Sequence, residues 1–453
     1  MFNEVLMIKK LVVILLISKC SLIYAQTIKT GVLVIGSGAS GVAAAMQCAR
    51  SKVKTILAVP DPSPGDFGNA GICSVDARYS IPSGIWCEFR NRVQAFYRKT
   101  PGFDTACNAP LNFEPNDAAS ILKKMTDTIK NLTVYFNATF TTIKKDGGLW
   151  EVTLAQNEKT IKIKARVVVD GTENGDAATK GSAQFAPAFD NEKDINSSKT
   201  YRTSIATGRA WPGQHYNDAN APKSSYPPYP AFCIPMHAVL VNNADNLLVT
   251  EKALAGNKDI QYLPVQMALG QGVGTVAAYC AFFKTTTKNL KVRIIQGELL
   301  DFKGYLLPFN DILQKDTDWR AIQQVCATGL LKGVQQAYGN SAHFLFKPDS
   351  LVSTAEIKPV LMEIYTRAFL WFGKERPGDK FTLGNLLSFI SDYTLTDPLV
   401  LKSRIQRDWN TQYKFKNDFN LNRQVTRREF AVLANKFINP FARTVDLNGE
   451  LVN

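Results

Sequence analysis

The chain has 453 residues, of which 45% are hydrophobic and 20% charged, and a formal net charge of +14. That length accommodates two or three domains with full cores, and the balance of residue types is that of a globular protein. The positive charge is spread along the chain without a block of like charges or basic–aromatic interleaving, so a nucleic-acid partner is not expected.

The first 25 residues read as an export signal. Lys9 and Lys10 form a basic start, LVVILLI an apolar core, and SLIYA ends on Ala25 ahead of Gln26. Seven apolar residues cannot span a bilayer, and Lys19 interrupts any extension. Cys20 follows that lysine, which does not suit a lipoprotein site. Export to the periplasm, the cell surface or the medium follows, and no later stretch predicts a membrane span. A positive mature chain in that setting suits acidic polysaccharides or plain solubility.

Residues 30–60 predict a βαβ unit. The run GVLVIGSGASGVAAAMQCAR breaks at Gly36-Ser37-Gly38-Ala39-Ser40-Gly41 and continues as a small-residue helix. In such a unit the first glycine permits a tight turn, the second admits a pyrophosphate, and the third lets helix and strand pack closely. The phosphates would meet the helix N-terminus, where free N–H groups and the dipole favour anions. The acid that usually follows about 20 residues later to bind the ribose is missing: KTILAVPDP puts Val59, Pro60 and Asp61 there.

Residues 61–130 read as a long, irregular, turn-rich stretch with one helix over 116–130, and loops of that kind tend to be functional. LTVYFNATFTTIKK, LWEVTLA and KTIKIKARVVVDGT predict a strand, a hairpin and a return to the main sheet. The return ends in glycines again, at Gly171 and Gly175. Further on, NLLVT (246–250) predicts a strand, and LPVQMALGQGVGTVAAYCAFF a helix carrying Gly270, Gly272 and Gly274. Those glycines suit either a ligand or close helix packing.

Seven cysteines remain beyond Cys20, without a C-x-x-C pair, which argues against a disulfide framework or a zinc site. Cys48 and Cys280 are expected in the core, and a single Cys87–Cys107 bridge stays open. His215, His237 and His343 stand at no metal-ligand spacing, so no metal is expected.

Three glycine sites in this order, with a β-meander between the first two, resemble the FAD-dependent oxidoreductases of the glutathione-reductase-like superfamily, and more narrowly a secreted branch of the bacterial FAD-dependent oxidoreductase family. GSGASG, IPSGIW (81–86), VVVDGTENGDAA, NLLVT and PVQMALGQGVGTVAA carry the resemblance over residues 30 to about 285. It implies an α/β, Rossmann-like FAD-binding domain with an inserted β-meander and a C-terminal, mostly helical region. It further implies FAD with its pyrophosphate at Gly36–Gly41 and its ribose near Val59, Pro60 and Asp61. Ribityl and flavin would lie near Gly171, Asp176 and a helix start at Gly270, Gln271, Gly272 and Gly274. The chain departs from the pattern after NLLV, where relatives read Ala-Gly and a basic residue and this chain reads Thr250, Glu251 and Lys252. Gln261 likewise replaces a basic residue. The substrate region near 185–235 is short, polar and Pro-rich, with little to build a sheet.

From about 305 the pattern turns helical. FKPDSLVSTAEIKPVLMEIY (346–365) and FNLNRQVTRREFAVLANKFI (419–438) align at an offset of 73, each with a capping box, Ser353-x-x-Glu356 and Thr426-x-x-Glu429. These two copies are similar to S-layer homology modules, which anchor proteins to cell-wall polymers, or else form a helical appendage on the flavin domain. The expected organisation is a signal (1–25), an FAD-binding oxidoreductase domain (26–300) and this helical region (305–453).

Two functions stand at this point. One is an exported FAD-dependent oxidoreductase moving a hydride from a small organic substrate, for which acidic or modified sugars are the class that charge and setting suggest. Its weak catalytic candidates are Cys73 and His237. The other is a non-catalytic envelope protein with a degenerate FAD fold that binds cell-wall polymer.

Overall fold

The computed structural model describes residues 27–68, 71–76, 80–104, 106, 109–185, 197–209, 231–254, 260–338 and 341–452. The signal, Cys20, Cys107, His215 and most of the substrate region near 185–235 lie outside the described residues. Among the described residues no helix is long and apolar enough to cross a membrane.

The βαβ unit forms as its pattern dictates. Strand β1 (Ile28–Ile35) leads through the glycine loop to α1 (Ala39–Arg50), and the chain returns as β2 (Thr55–Ala58), parallel to β1. Val32, Leu33 and Val34 are fully buried, as a strand covered on both faces requires. The stretch expected to be irregular contains more order: β3 (Cys73–Val75), a helix α2 (Gly84–Tyr97), β4 (Leu111–Phe113) and α3 (Pro115–Asp127). The sequence pattern missed α2, because Pro82 and Gly84 read as turn punctuation although they only open the helix. Its buried face is Ile85, Trp86, Phe89 and Val93, at helical spacing.

The meander follows as β5 (Leu132–Tyr135), β6 (Ala138–Asp146), β7 (Leu149–Gln156) and β8 (Lys159–Asp170). The sheet order is β5-β2-β1-β8-β7-β6. Strand β8 pairs parallel with β1 along one edge and serves two partners along the other: its first half pairs antiparallel with β7, and its last residues pair parallel with β11 (Leu247–Val249). Between them lie two short helices, α4 (Asp176–Lys180) and α5 (Ser198–Thr203). A two-stranded antiparallel sheet of β9 (Ser204–Arg209) and β10 (Ala231–Pro235) follows. The expectation that this region has little to build a sheet is therefore corrected: Ala231–Pro235 is wholly buried and supplies one strand of this pair.

Helix α6 (Leu263–Phe282) is buried nearly all round, between α1 on one side and β9 on the other. A Cβ at Gly270 would stand 2.1 Å from the Ser40 carbonyl oxygen, at Gly274 2.5 Å from that of Ala44, and at Gly272 2.4 Å from that of Ile205. Each glycine thus lets a backbone approach. Helix α7 (Val292–Asp301) completes this part.

The C-terminal region adds α8 (Trp319–Cys326), a hairpin of β12 (Val334–Tyr338) and β13 (Ser341–Leu345), and five helices: α9 (Thr354–Ile364), α10 (Ala368–Glu375), α11 (Leu383–Thr394), α12 (Pro398–Asp408) and α13 (Arg427–Phe437). Three copies of one unit are present. In each, a buried apolar residue precedes a Ser or Thr cap and a helix: Val352-Ser353-α9, Phe381-Thr382-α11 and Val425-Thr426-α13. The three apolar residues close a ring of backbone hydrogen bonds. Val352 N–H donates to Val425 (3.0 Å), Val425 N–H to Phe381 (3.0 Å) and Phe381 N–H to Val352 (3.3 Å). The two copies at an offset of 73 are the outer members of this set. The middle one lies 29 residues after the first, an uneven spacing that hides it from a fixed-period search.

Only the last of the two expected capping boxes closes in full. Thr426 and Glu429 exchange both bonds, as do Thr382 and Asn385, whereas Ser353 caps α9 alone because Glu356 pairs with Arg427. The boundary near 300–305 is crossed in both directions. Ile81, Tyr201, Ala231 and Cys233 join the C-terminal core, while Val445 returns to the first core.

Candidate functional site

The loop between β1 and α1 is held by glycines that touch backbone. Gly36 has φ +131°, and a Cβ there would meet the Gly171 carbonyl oxygen at 2.4 Å. Gly171 N–H donates to the Ile35 carbonyl (2.7 Å), and a Cβ on Gly171 would stand 2.8 Å from the Cα of Gly41. Gly36, Gly41 and Gly171 therefore meet where β1, α1 and β8 converge. Gly171 serves this meeting of chains, and its side lacks room for anything larger.

Helix α1 starts without a cap of its own. Gly38 is the N-cap residue, no side chain of the loop bonds the first amides, and no acidic residue lies in the first turn. Four N–H groups at such a start seek an acceptor, and the helix dipole favours an anion there. An anion is present. A Cβ on Gly38 would fall 2.2 Å from Glu251 Oε1, and Ser40 Oγ donates to the same oxygen at 2.9 Å. The Ser40 backbone N–H also favours the charged carboxylate. Thr250, one residue earlier, shares a 2.7 Å hydrogen bond with Ser40 Oγ and donates its own N–H to the Asp170 carbonyl at 3.0 Å. Glu251 opens the short 3-10 turn Glu251–Leu254 directly after β11, so strand pairing to β8 aims it across the cradle. Burial pushes its carboxyl above the ordinary range, and Asp66 and Glu173 push it the same way.

Asp170, which sequence reasoning did not single out, organises the neighbouring turn. Its carboxylate accepts from the Thr172 N–H (2.9 Å), the Thr172 hydroxyl (2.7 Å) and the Ala178 N–H (2.7 Å). Burial raises its pKa against these bonds. Asp176 is exposed, and its N–H is held by Thr172 Oγ1 at 2.8 Å, so it sits at the rim of this turn.

The other expected site residues are spread around this centre. Ser37 accepts from the Gly65 N–H (2.7 Å), which lays the 61–68 loop over the cradle. Ala39 is buried at the start of α1. Val59 is fully buried with both backbone groups in use, its N–H donating to Tyr135 and its carbonyl accepting from Ala138. Pro60 and Asp61 are exposed, and Asp61 is the first carboxylate after β2. The helix start expected at 270–274 lies earlier, at Leu263, and the segment Gly270–Gly274 is its buried middle. Gln271 is committed within the protein: its amide donates to Gln47 (3.1 Å) and to the Phe302 carbonyl (3.0 Å) and accepts from the Ile85 N–H (3.2 Å). Two of the recognised motifs, IPSGIW and the Gly-Gln helix, thus meet through one side chain.

Cys73 begins β3, half-buried, with Sγ 3.5 Å from the Phe67 carbonyl oxygen, and burial raises its thiol pKa. Its strand is tied to the approach of α6, because Gln261 accepts from the Asp76 N–H (2.9 Å) and donates to the Ser74 carbonyl (2.6 Å). His237 faces elsewhere. It lines a cavity of about 670 Å³ with Arg202, Lys332, Glu363 and Asn448, between the first region and the C-terminal helices. Burial lowers its pKa. Cys48, Cys73, Cys87, Cys233, Cys280 and Cys326 are free thiols, with Cys48 and Cys280 in the core as expected.

Comparison with known proteins fits this geometry. Residues 31–192 and 189–299, more than half of the chain, match the family model described as FAD dependent oxidoreductase. No curated protein matches. Among solved structures the likenesses are coarse. A p-nitrophenol 4-monooxygenase from Pseudomonas putida is 15% identical over 32% of this chain and 41% of its own, with a TM-score of 0.23. THI4 from Thermovibrio ammonificans is 12% identical over 60% of this chain and 96% of its own, with a TM-score of 0.33. A bacillithiol disulfide reductase from Staphylococcus aureus is 13% identical over 37% and 44%, with a TM-score of 0.24. The chain spans less than half the length of the first structures it matches.

Proposed function

The chain belongs to the FAD dependent oxidoreductase family, and from that premise we propose that it is an exported flavoenzyme. On this reading it oxidises a small organic substrate of the carbohydrate class, while its C-terminal region holds an acidic or cell-wall polysaccharide. Membership of that family supports FAD-dependent oxidoreductase activity. The basic and apolar segments before Ala25 support export, and the ring of three capped units supports the anchoring role.

When bound, the flavin supplies the hydride acceptor. The residues present fit its diphosphate in kind: a glycine loop at an uncapped helix start, already holding a carboxylate in the place of a phosphate. The Ser40 backbone N–H faces that anion, and Gly38 leaves room that any side chain would fill. The first turn of α6, at Leu263–Gln266, is the positive end of a twenty-residue helix and favours negative charge beside it. Cys73 lies on the strand docked to that approach. With its pKa raised it is a neutral thiol near pH 7, able to position a substrate hydroxyl but not to act as a thiolate. His237, in the separate cavity, is the weaker candidate.

The observation that carries the reading is the bare glycine start of α1. Its test is the visible spectrum of the purified protein after incubation with FAD and gel filtration. Retained flavin absorption is expected, and substrates then reveal themselves by bleaching it. A second reading, a non-catalytic envelope protein, is favoured by Glu251 on the cradle and Val59 at the ribose end. A protein that stays colourless under excess FAD would overturn the flavoenzyme reading, and binding to cell-wall polymer would then test the second.

A further inference from the structure

The carboxylate on the cradle has a consequence for the cofactor. Ser40 and Glu251 are 211 residues apart in sequence, yet Glu251 Oε1 takes the Ser40 hydroxyl and fills the space over Gly38. A dinucleotide's diphosphate and this side chain require the same donors and the same volume. The charged groups facing Glu251 from the neighbouring elements are Asp66, from the loop laid over the cradle, and Glu173, from the turn after β8. Buried Asp170 lies behind Thr250. Lys252, on the same turn, turns its ammonium to the ring of Phe185 (5.4 Å). A diphosphate entering here meets acids as well as amides.

We propose that Glu251 is a built-in competitor for the diphosphate of FAD, holding the cradle until the cofactor displaces it and so setting cofactor affinity. The proposal rests on the FAD reading above. While it sits on the cradle, Glu251 takes the Ser40 donor and fills the space over Gly38 that the diphosphate needs, so FAD binds only as the side chain leaves. As a carboxylate it also repels the incoming phosphates. Burial makes the cradle a better host for its neutral form than for its charged one.

The experiment is calorimetric titration of flavin-free protein with FAD, at about pH 8, for the wild type, Glu251→Gln and Glu251→Ala. Both variants should bind about tenfold more tightly than wild type. Equal affinities in all three proteins would overturn the inference while leaving FAD binding intact. If none binds FAD while circular dichroism shows all three folded, the FAD reading itself falls with it. Flavin-free Glu251→Ala should also melt at a lower temperature than wild type, with FAD reversing the loss. Glu251→Gln keeps the side-chain volume should Glu251→Ala fold poorly.

Discussion

At the starts of α11 and α13 the cap and the helix it serves are neighbours in sequence. Thr382 and Thr426 accept from amides three residues on, and Asn385 and Glu429 return the bond. At the start of α1 nothing local does this, and the acceptor arrives from Glu251, distant in sequence and carried in by β11 beside β8. Helices α11 and α13 are closed by their own residues and have no use for an outside anion. The first helix is open by composition and closed only by tertiary contact, as a start meant for a ligand would be. A Ser or Thr at Gly38 would have capped the helix for good. Glycine keeps it available, and Glu251 keeps it satisfied.

Four measurements break or sharpen that contrast. Gly36→Ala should be the most damaging, because a Cβ there meets backbone at 2.4 Å with φ at +131°. We expect a loss of about 3 kcal/mol or more, read as a fall in the urea midpoint, together with loss of the flavin spectrum. Next comes Arg202→Met, at the join between the two regions. Arg202 is 1% exposed and holds both oxygens of Glu363 at 2.6 Å, as well as the carbonyls of Thr328 and Gly449. Its loss should cost about 3 kcal/mol and separate the unfolding of the two regions into two transitions. A single unchanged transition would show that the join contributes little.

The third pairs two cap sites. Thr426→Ala should cost about 1 kcal/mol of stability and leave FAD affinity unchanged. Gly38→Ala should do the reverse, costing under about 1 kcal/mol while weakening FAD binding about tenfold or more, because its Cβ intrudes on the anion's place. Equal effects of the two on FAD would erase the distinction between closed and open starts.

The smallest effect concerns pH. The folded pKa of Glu251 is raised above its ordinary 4.5, so the native state holds the proton longer than the unfolded chain does. Its contribution to stability is present at low pH and is lost as pH rises through the folded value. Glu251→Gln should flatten that part of the stability–pH curve. A curve unchanged by the substitution would mean that the carboxyl is not strained by its position.

Much of this was legible in the sequence, and the parts that were not share a cause. The βαβ unit, the meander, β11 and α6 announced themselves by strand and helix periodicity next to glycine turns. Helix α2 did not, since its opening Pro82-Ser83-Gly84 carries the signals of a turn. The middle C-terminal unit escaped because its box uses Thr382 and Asn385 and stands at an uneven spacing. At the site, Gly36, Gly38 and Gly41 were readable as an anion loop because their conformational demands are local. The glycines of α6 were not assignable, because a ligand and a neighbouring backbone require the same missing Cβ, and only the fold shows Ser40, Ala44 and Ile205 against them.

By itself, then, the sequence determined most of the segments that become strands and helices, where the chain must turn, and that the helix after the first glycine loop begins on glycine without a cap of its own. These follow from periodicity and from the backbone freedom of single residues, which act over a few positions. Tertiary structure alone decided what fills the openings: Glu251 on Gly38, Gln271 among Gln47, Ile85 and Phe302, and the ring of Val352, Phe381 and Val425. Such contacts join residues far apart in the chain, and a carboxylate's partner depends on where the strands carry it.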